Sequence, residues 1–241
     1  MNNSNPILYT IKPGDTLYNL AIIYGTTVQE IINTNLALDP YNLRVGQRIY
    51  IYPHSNNSYD YWISINQSHL IQDMDLAWLE HVFWTRLFLI SVAENLNGLE
   101  PTKTRLLENP RTIANVFRKY YGNNIANKIE ELIREHLVIG GDLIVALKNG
   151  NEKLAQELNT KWYKNADDMA EAFSSINPYY PKEEVRQMLY DHLRLTTNEV
   201  SARLQKKYIE DIRAYDMVQK EVLKMAESFV NGIVKQFPDS F

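Results

Sequence analysis

The sequence predicts a small α+β domain with the element order strand, helix, helix, strand (βααβ), followed by an all-α helical bundle. In the first fifty residues, two segments have the two-residue alternation of a β-strand. Between them lie two short segments whose apolar residues have helical spacing, with turn residues between the segments. From about residue 76, apolar residues recur at helical spacing almost to the end, and a pattern of about 56 residues repeats there. A chain of 241 residues has room for one small and one medium domain.

The N-terminal elements follow from local signals. Residues 7–11 alternate as a short strand does. Residues 13–16, Pro-Gly-Asp-Thr, combine a turn with good helix N-caps, so a helix is predicted to begin at the end of this segment. Gly25 ends that helix, Thr27 caps a second short helix, and residues 43–51 return as the second strand.

Residues 9–52 resemble the LysM carbohydrate-binding module. Many members of that family have Asn-Pro after the second helix, where this chain has Asn35-Leu36. The resemblance implies binding of N-acetylglucosamine polymers, such as peptidoglycan or chitin. The segments that carry it are Gly14-Asp15-Thr16-Leu17, Ile31-Ile32-Asn33-Thr34-Asn35 and Val45-Gly46-Gln47.

The resemblance also implies where the glycan binds. It places a shallow groove between the strand-to-helix turn and the helix-to-strand loop, where loop amides and carbonyls can hydrogen-bond N-acetyl groups. For Asp15 and Thr16 the alternative is helix capping alone, and for Leu17 it is core packing. Carried over by position, the glycan-binding residues are Gly14, Asp15, Thr16, Leu17, Asn35, Leu36, Ala37 and Leu38.

The composition of the chain after Pro53 predicts the domain boundaries. Residues 54–60 are polar and rich in turn formers. We therefore predict a LysM domain over 1–53, a linker over 54–75 and a helical repeat bundle over 76–241. Within the bundle, helices are predicted near 76–97, 110–121, 123–149, 152–176 and 181–236, the last of them broken.

The predicted repeat rests on matching residues about 56 positions apart. The pair Glu80-His81 is a degenerate third copy of the acid–histidine element, displaced by one residue. Two full units are too few for a solenoid, so closure into one bundle is expected. The matches are Asn109 with Asn165, Ile113 with Met169 and Met225, Ala114 with Ala170 and Ala226, Phe117 with Phe173 and Phe229, and Glu135-His136-Leu137 with Asp191-His192-Leu193.

Three histidines in predicted helices, His81, His136 and His192, are candidate metal ligands, and each follows an acidic residue. Di-metal carboxylate bundles use Glu-x-x-His, a spacing that does not occur in this sequence. Adjacent helical residues point about 100° apart, so at most one member of each acid–histidine pair faces a common site. The favoured interpretation is that these histidines hydrogen-bond neighbouring helices in a partly polar core, and a metal-binding bundle is the alternative. No catalytic residue or cofactor is predicted.

Composition excludes several kinds of site. The sequence has no cysteine, so disulfides, thiolate metal sites and a cysteine nucleophile are excluded. The net charge of −4 offers no basic stripe for nucleic acid. Residues 82–93 are the most apolar run but include Arg86 and are too short to span a bilayer. We therefore expect no membrane span, and synthesis in the cytoplasm without a signal peptide.

The C-terminal region is similar to an uncharacterised family of small helical proteins from spore-forming bacteria, through the segments LAWLEHVFW, KWYKNADDMAEAF and YDHLRLTTNEVSARL. Some members carry an acetylglutamate kinase label, which this sequence does not support because it lacks a glycine-rich loop after a strand.

These observations predict a non-enzymatic cell-wall or spore-envelope protein. Its predicted partners are peptidoglycan or a related polymer, and a second copy or a spore-envelope protein that binds the helical region. The alternatives are a LysM-targeted cell-wall hydrolase and a metal-binding helical bundle. Convergence of the three histidines would favour these alternatives.

Overall fold

The computed structural model describes residues 6–35, 38–39, 43–53 and 63–241 and, of residue 22, the backbone alone. The chain divides into two compact units, Met1–Ile63 and Ser64–Phe241. We call the second one the helical unit.

The N-terminal unit has the predicted order of elements. β1 (Ile7–Thr10) is followed by α1 (Leu17–Tyr24), α2 (Val28–Thr34) and β2 (Arg48–Ile51). The two strands are antiparallel, with Ile7 opposite Ile51 and Thr10 opposite Arg48. Their core is formed by Ile11, Leu17, Leu20, Ala21, Ile31, Leu38, Ile49 and Ile51.

The ends of α1 and α2 follow the local signals in the sequence. Thr16 caps α1, and Gly25 ends it in the left-handed conformation, with φ 68°. Thr27 and Glu30 form a capping box at the start of α2, in which each side chain bonds the other's backbone N–H. These local interactions explain why the helix boundaries could be predicted.

The helical unit consists of long helices. The bend in α5 is at Gly122, which has φ 77° and ψ −179°, and it separates the two helices predicted on either side of that residue. The helices are α3 (Ile65–Ala93), α4 (Leu99–Leu106), α5 (Asn109–Lys148), α6 (Glu152–Ile176), α7 (Lys182–Leu204) and α8 (Tyr208–Gln236).

The first long helix begins earlier than predicted. We expected a linker over 54–75, whereas α3 begins at Ile65 and is capped by the Ser64 side chain. Leu70 and Met74 are buried, so the apolar face of the helix extends further towards the N-terminus than its predicted start. This part of the predicted linker therefore belongs to the helical unit.

Two other helix boundaries differ from the prediction. The short helix α4 was not predicted, because among its residues it buries Leu106 alone and thus shows no apolar stripe. The long helix predicted over 181–236 is two helices, α7 and α8, and Lys206 between them has φ 60°. A break in that segment was expected, but its position was not.

Three phenylalanines meet at the centre of the helical unit. Phe117, Phe173 and Phe229 are fully buried, and their ring centroids are 4.6 to 5.6 Å apart. The ring of Trp78 stacks on Phe229 at 5.7 Å. The 56-residue repeat remains a prediction, and the structure adds that these matching aromatic residues are in contact.

Helix α3 is long and apolar enough, by length and composition, to cross a membrane. In the helical unit, however, 44% of its most apolar window is buried against other helices. It also carries Asp73, Glu80 and Arg86, which pair with residues of neighbouring helices. These contacts are those of a core helix in a folded domain.

Candidate functional site

The turn between β1 and α1 is organised by two side chains. Asp15 Oδ2 accepts hydrogen bonds from the backbone N–H of Lys12 (2.7 Å) and from the Tyr9 hydroxyl (2.9 Å). The Thr16 hydroxyl accepts from the backbone N–H of Asn19 (3.1 Å). Both residues that were predicted to contact glycan therefore have a role in folding the turn.

The opposite wall of the predicted groove is held by Asn35. Its amide nitrogen donates to the carbonyl oxygens of Ile31 (2.8 Å) and Tyr50 (2.7 Å). Its Oδ1 accepts from the backbone N–H of Tyr50 (2.9 Å). The side chain thus joins the end of α2 to β2, and its polar atoms are occupied by these bonds.

Few side chains are left for a ligand at the described positions of the predicted groove. Leu17 and Leu38 are buried in the core, and Gly14 adopts φ 85° in the turn without a side chain. Leu36 and Ala37, also predicted to contact glycan, lie outside the described residues. Glycan contact by these positions stays a prediction.

Tyr18 is an exposed aromatic residue beside this turn, and the sequence analysis did not single it out. It follows the buried Leu17 in the first turn of α1, and 62% of it is exposed. Helical spacing could have placed it on the outer face, because Leu17 and Leu20 mark the inner one. Its ring combines an apolar face with a hydroxyl, which suits contact with a sugar.

Comparison with protein families decides the nature of this unit. A family model described as the LysM domain matches residues 9–51. This segment is a LysM domain. Among curated proteins, "Uncharacterized lipoprotein YgeR" of Escherichia coli (strain K12) is 43% identical over 42 residues, and the matched part is 17% of this chain and 17% of that protein. No solved structure gives a significant match.

The LysM domain supports binding of peptidoglycan and other N-acetylglucosamine-containing glycans in general. The helical unit lies outside the matched residues. Its candidate sites have to be derived from its own side chains.

Three histidines from three helices of the helical unit converge. They are His81 of α3, His136 of α5 and His192 of α7, and all three are buried. One ring nitrogen from each lies within 4.8 Å of one from each of the others. Their ring centroids are 5.7 to 6.1 Å apart. We call this cluster, with the cavity beside it, the three-histidine pocket.

Two of these histidines bond a neighbouring helix through Nδ1, as the favoured interpretation expected. His81 Nδ1 is 3.0 Å from Asn109 Oδ1, and His192 Nδ1 is 2.9 Å from Glu221 Oε2. Asn165 lies beside His136 as Asn109 lies beside His81. Within the described part of the chain, however, neither His136 Nδ1 nor Asn165 Oδ1 has a partner in hydrogen-bonding geometry.

The environment of the pocket favours neutral imidazoles. Burial lowers the pKa of His81 to about 3, and the neighbouring His192 also lowers it. Burial likewise lowers the pKa of His136 well below its ordinary value, and the other two histidines add to this effect. At neutral pH, His81 and His136 therefore present uncharged rings.

A cavity of about 20 Å³ lies against the three rings. This volume is enough for one water molecule or an ion. Small or short residues line it one helical turn after each histidine, at Thr85, Gly140 and Thr196. Gly140 packs closely there, since a Cβ at this position would lie 3.1 Å from the Trp162 ring.

A cluster of buried charges in the same unit was not predicted. Arg86 Nη1 bonds Glu199 (2.6 Å) and Asp211 (2.8 Å), and Arg203 Nη1 also bonds Asp211 (3.2 Å). Burial raises the pKa of Glu199 to about 7, although its bond with Arg86 opposes this. The members lie far apart in the sequence, so no local pattern indicated the cluster.

Proposed function

We propose that this protein is a non-enzymatic cell-wall or spore-envelope protein that binds peptidoglycan, or a related N-acetylglucosamine polymer, through its LysM domain. The observation that carries this proposal is the family match over residues 9–51. The lipoprotein name of the E. coli relative supports a place in the cell envelope. The spore envelope is proposed from the sequence resemblance of the C-terminal region alone.

The glycan would be bound mainly by backbone groups. The side chains of Asp15, Thr16 and Asn35 are engaged in the fold. N-acetyl groups contain both a hydrogen-bond donor and an acceptor, which complement the N–H and C=O groups of an exposed turn. The ring of Tyr18 would supply an apolar contact at the side of the groove.

One LysM domain with a shallow groove is expected to bind weakly. Retention on a polymer becomes strong when several copies bind together, because the later binding events occur at high effective concentration. In this proposal the helical unit brings several LysM domains together, by self-association or by binding an envelope partner. Light scattering on the full-length chain, with and without glycan, measures self-association.

Sedimentation with purified peptidoglycan tests the proposal on the full-length protein. Thr16 and Thr27 each cap a helix by accepting the same kind of bond, at 3.1 Å in both cases. Thr16→Ala and Thr27→Ala therefore cost similar stability, about 1 kcal/mol each. We expect Thr16→Ala to release more protein into the supernatant than Thr27→Ala does, because Thr16 alone lies in the predicted groove.

Tyr18→Ala is a second probe that leaves the core intact, because the side chain is exposed. It should weaken sedimentation without changing the unfolding temperature. If the wild-type chain stays in solution, or if residues 63–241 alone sediment as well as the full chain, the LysM domain is not the anchor.

A LysM-targeted hydrolase is the second candidate, favoured by the convergence of the three histidines. Hydrolysis of a polymer requires an open cleft beside the reacting groups. The cavity beside the histidines measures about 20 Å³, which is far smaller than one sugar ring. The geometry therefore favours the non-enzymatic proposal, and an assay for muropeptides released by the full-length protein distinguishes the two.

A further inference from the structure

We infer that the three-histidine pocket binds one transition-metal ion of the zinc class through Nε2 of His81, His136 and His192, with one coordination position left open towards the cavity. This site is independent of glycan binding by the LysM domain. The inference rests on the hydrogen bonds that fix the ring tautomers and on the regular spacing of the hydrogen-bonding partners in the sequence. It also rests on the convergence of one nitrogen from each ring and on the dimensions and charge of the pocket.

Hydrogen bonds decide which nitrogen of each ring carries the proton. The amide nitrogen of Asn109 donates to the carbonyl oxygen of Ala77 (2.8 Å), so its Oδ1 faces His81 and accepts from Nδ1–H. The Glu221 carboxylate likewise accepts a hydrogen bond from His192 Nδ1–H. In both rings Nε2 is therefore the nitrogen that is left to bind a metal.

Asn165 lies at the third ring, His136, in a position similar to that of Asn109 at His81. The amide nitrogen of Asn165 donates to the carbonyl oxygen of Leu132 (3.1 Å), four residues before His136, just as Asn109 bonds the carbonyl four residues before His81. Asn165 Oδ1 and His136 Nδ1 are both buried, and neither has a partner in hydrogen-bonding geometry among the described residues.

The three outer partners occupy equivalent places in the sequence. Asn109, Asn165 and Glu221 follow one another at intervals of 56 residues, the period predicted for the repeat. Metal-bound histidines are typically held in this way, because a partner on the second ring nitrogen fixes both the tautomer and the orientation of the ring.

The three histidines bring one ring nitrogen each to within 4.8 Å of the others, and a neutral imidazole has one nitrogen lone pair to be satisfied. A water molecule has two hydrogens and can satisfy only two of these lone pairs. A metal ion satisfies all three nitrogens at once.

The ligand set and its dimensions suit zinc and similar ions. Imidazole nitrogen binds zinc, copper, iron and nickel, and three protein ligands with an open fourth position are typical of zinc sites that hold an exchangeable ligand. Zinc–nitrogen bonds of 2.0–2.1 Å place tetrahedral ligands about 3.4 Å apart, so nitrogens now within 4.8 Å need to move inwards by less than about 1 Å.

Charge and space around the pocket are compatible with a divalent ion. The carboxylate of Glu221 bonds His192, and that of Glu135 accepts from the Asn165 amide (3.0 Å), so two acidic groups lie in the outer shell. The cavity accepts one small ligand, such as water, at the open position. The hydroxyl of Thr196 lines this cavity and is unpaired within the described residues, so it can bond that ligand.

Metal binding by the untagged, full-length protein tests the inference. After dialysis against EDTA, the protein is titrated with Zn²⁺ in competition with a chromophoric chelator, and with Co²⁺ for its visible spectrum. We expect one ion per chain and a Co²⁺ spectrum of low coordination number. Binding well below one equivalent, or an octahedral Co²⁺ spectrum, would overturn the inference.

Single substitutions locate the site. His81→Gln, His136→Gln and His192→Gln should each weaken Zn²⁺ binding at least 100-fold, whereas His69→Gln should leave it unchanged. His69 is a matched control, since it lies exposed on α3, the helix that carries His81. Equal losses from His69→Gln and His81→Gln would contradict the assignment.

A substitution of Glu221, which bonds His192, tests the metal site even if a histidine variant fails to fold. Glu221→Gln preserves shape but removes the charged acceptor of His192, and it should weaken Zn²⁺ binding 10- to 100-fold. Glu210→Gln, an exposed acidic residue on the same helix, is its control. Unchanged affinity in Glu221→Gln would count against the proposed role of the outer shell and the site built on it.

Discussion

Asn35 joins the end of α2 to β2 in the LysM domain. Its amide nitrogen donates three bonds and its Oδ1 accepts one, and two of the four reach Tyr50 in β2. A residue at a predicted binding position can therefore be required chiefly for the fold. The same holds for Asp15, whose carboxylate closes the turn.

Replacement of Asn35 by alanine should loosen the closing strand. We expect Asn35→Ala to cost about 2 kcal/mol, because it leaves backbone groups of Tyr50 and Ile31 without their partner. Hydrogen exchange of the amides in residues 48–51 of the full-length protein measures this as exchange about 30-fold faster. Asn33→Ala, an exposed position on the same helix, is the control and should change exchange little.

At the scale of elements, close approach and buried charge hold the helices of the helical unit in place. Tyr180, between α6 and α7, lies against Gly232 of α8, and its hydroxyl donates to the carbonyl oxygen of Phe229. Arg86, Glu199 and Asp211 join α3, α7 and α8 through ion pairs.

Gly232→Ala should destabilise the helical unit by about 3 kcal/mol, because a Cβ at this position would lie 1.9 Å from Tyr180 Cε1. Urea unfolding measures the loss. Gly98→Ala is the control, since no atom of the described chain lies within 4 Å of its added Cβ. A Gly232→Ala protein as stable as wild type would show that Tyr180 can move away at little cost.

Asp211→Ala should also cost about 3 kcal/mol, because it leaves Arg86 and Arg203 without their shared, fully buried partner. The neighbouring Glu210 pairs with Lys207 at the surface, at 3.9 Å, and Glu210→Ala should have little effect. Urea unfolding at pH 7.5 compares the two. Similar stabilities for both variants would mean that water replaces the lost carboxylate.

At the scale of the whole molecule, the two units offer different chemistry. The LysM domain supports binding of N-acetylglucosamine-containing glycans in general. The helical unit has a cavity of about 20 Å³ beside three buried histidines, and burial lowers the pKa of two of them, His81 and His136. The histidines also make the stability of the helical unit depend on pH.

Without metal, the helical unit should become less stable on acidification. The pKa of His81 is lower in the folded chain, about 3, than in the unfolded one, about 6.5, so below pH 6.5 the unfolded state binds the extra proton. The stability is present above pH 6.5 and is lost towards pH 3. Between pH 7.5 and 5.5 His81 alone should contribute a loss of about 1.4 kcal/mol.

Urea unfolding in EDTA at these two pH values measures the effect. His81→Gln should show a smaller loss than wild type, while His69→Gln should behave like wild type, because His69 is exposed. An equal loss in wild type and His81→Gln would mean that His81 is protonated in the folded state.

The sequence by itself determined the features that depend on neighbouring residues. The turn at Gly14, the caps at Thr16 and Thr27, the end of α1 at Gly25 and the break at Gly122 rest on local backbone geometry. The LysM domain could be predicted for the same reason, because its signature lies within one short segment. The apolar spacing likewise indicated most of the long helices.

Only the tertiary structure decided which distant side chains meet. Periodicity placed His81, His136 and His192 in helices, but their convergence depends on how each helix is rotated and shifted against the others. The same is true of Arg86 and Asp211, which are 125 residues apart. Helix spacing specifies which residues face inwards, whereas packing of the whole core specifies what they face there.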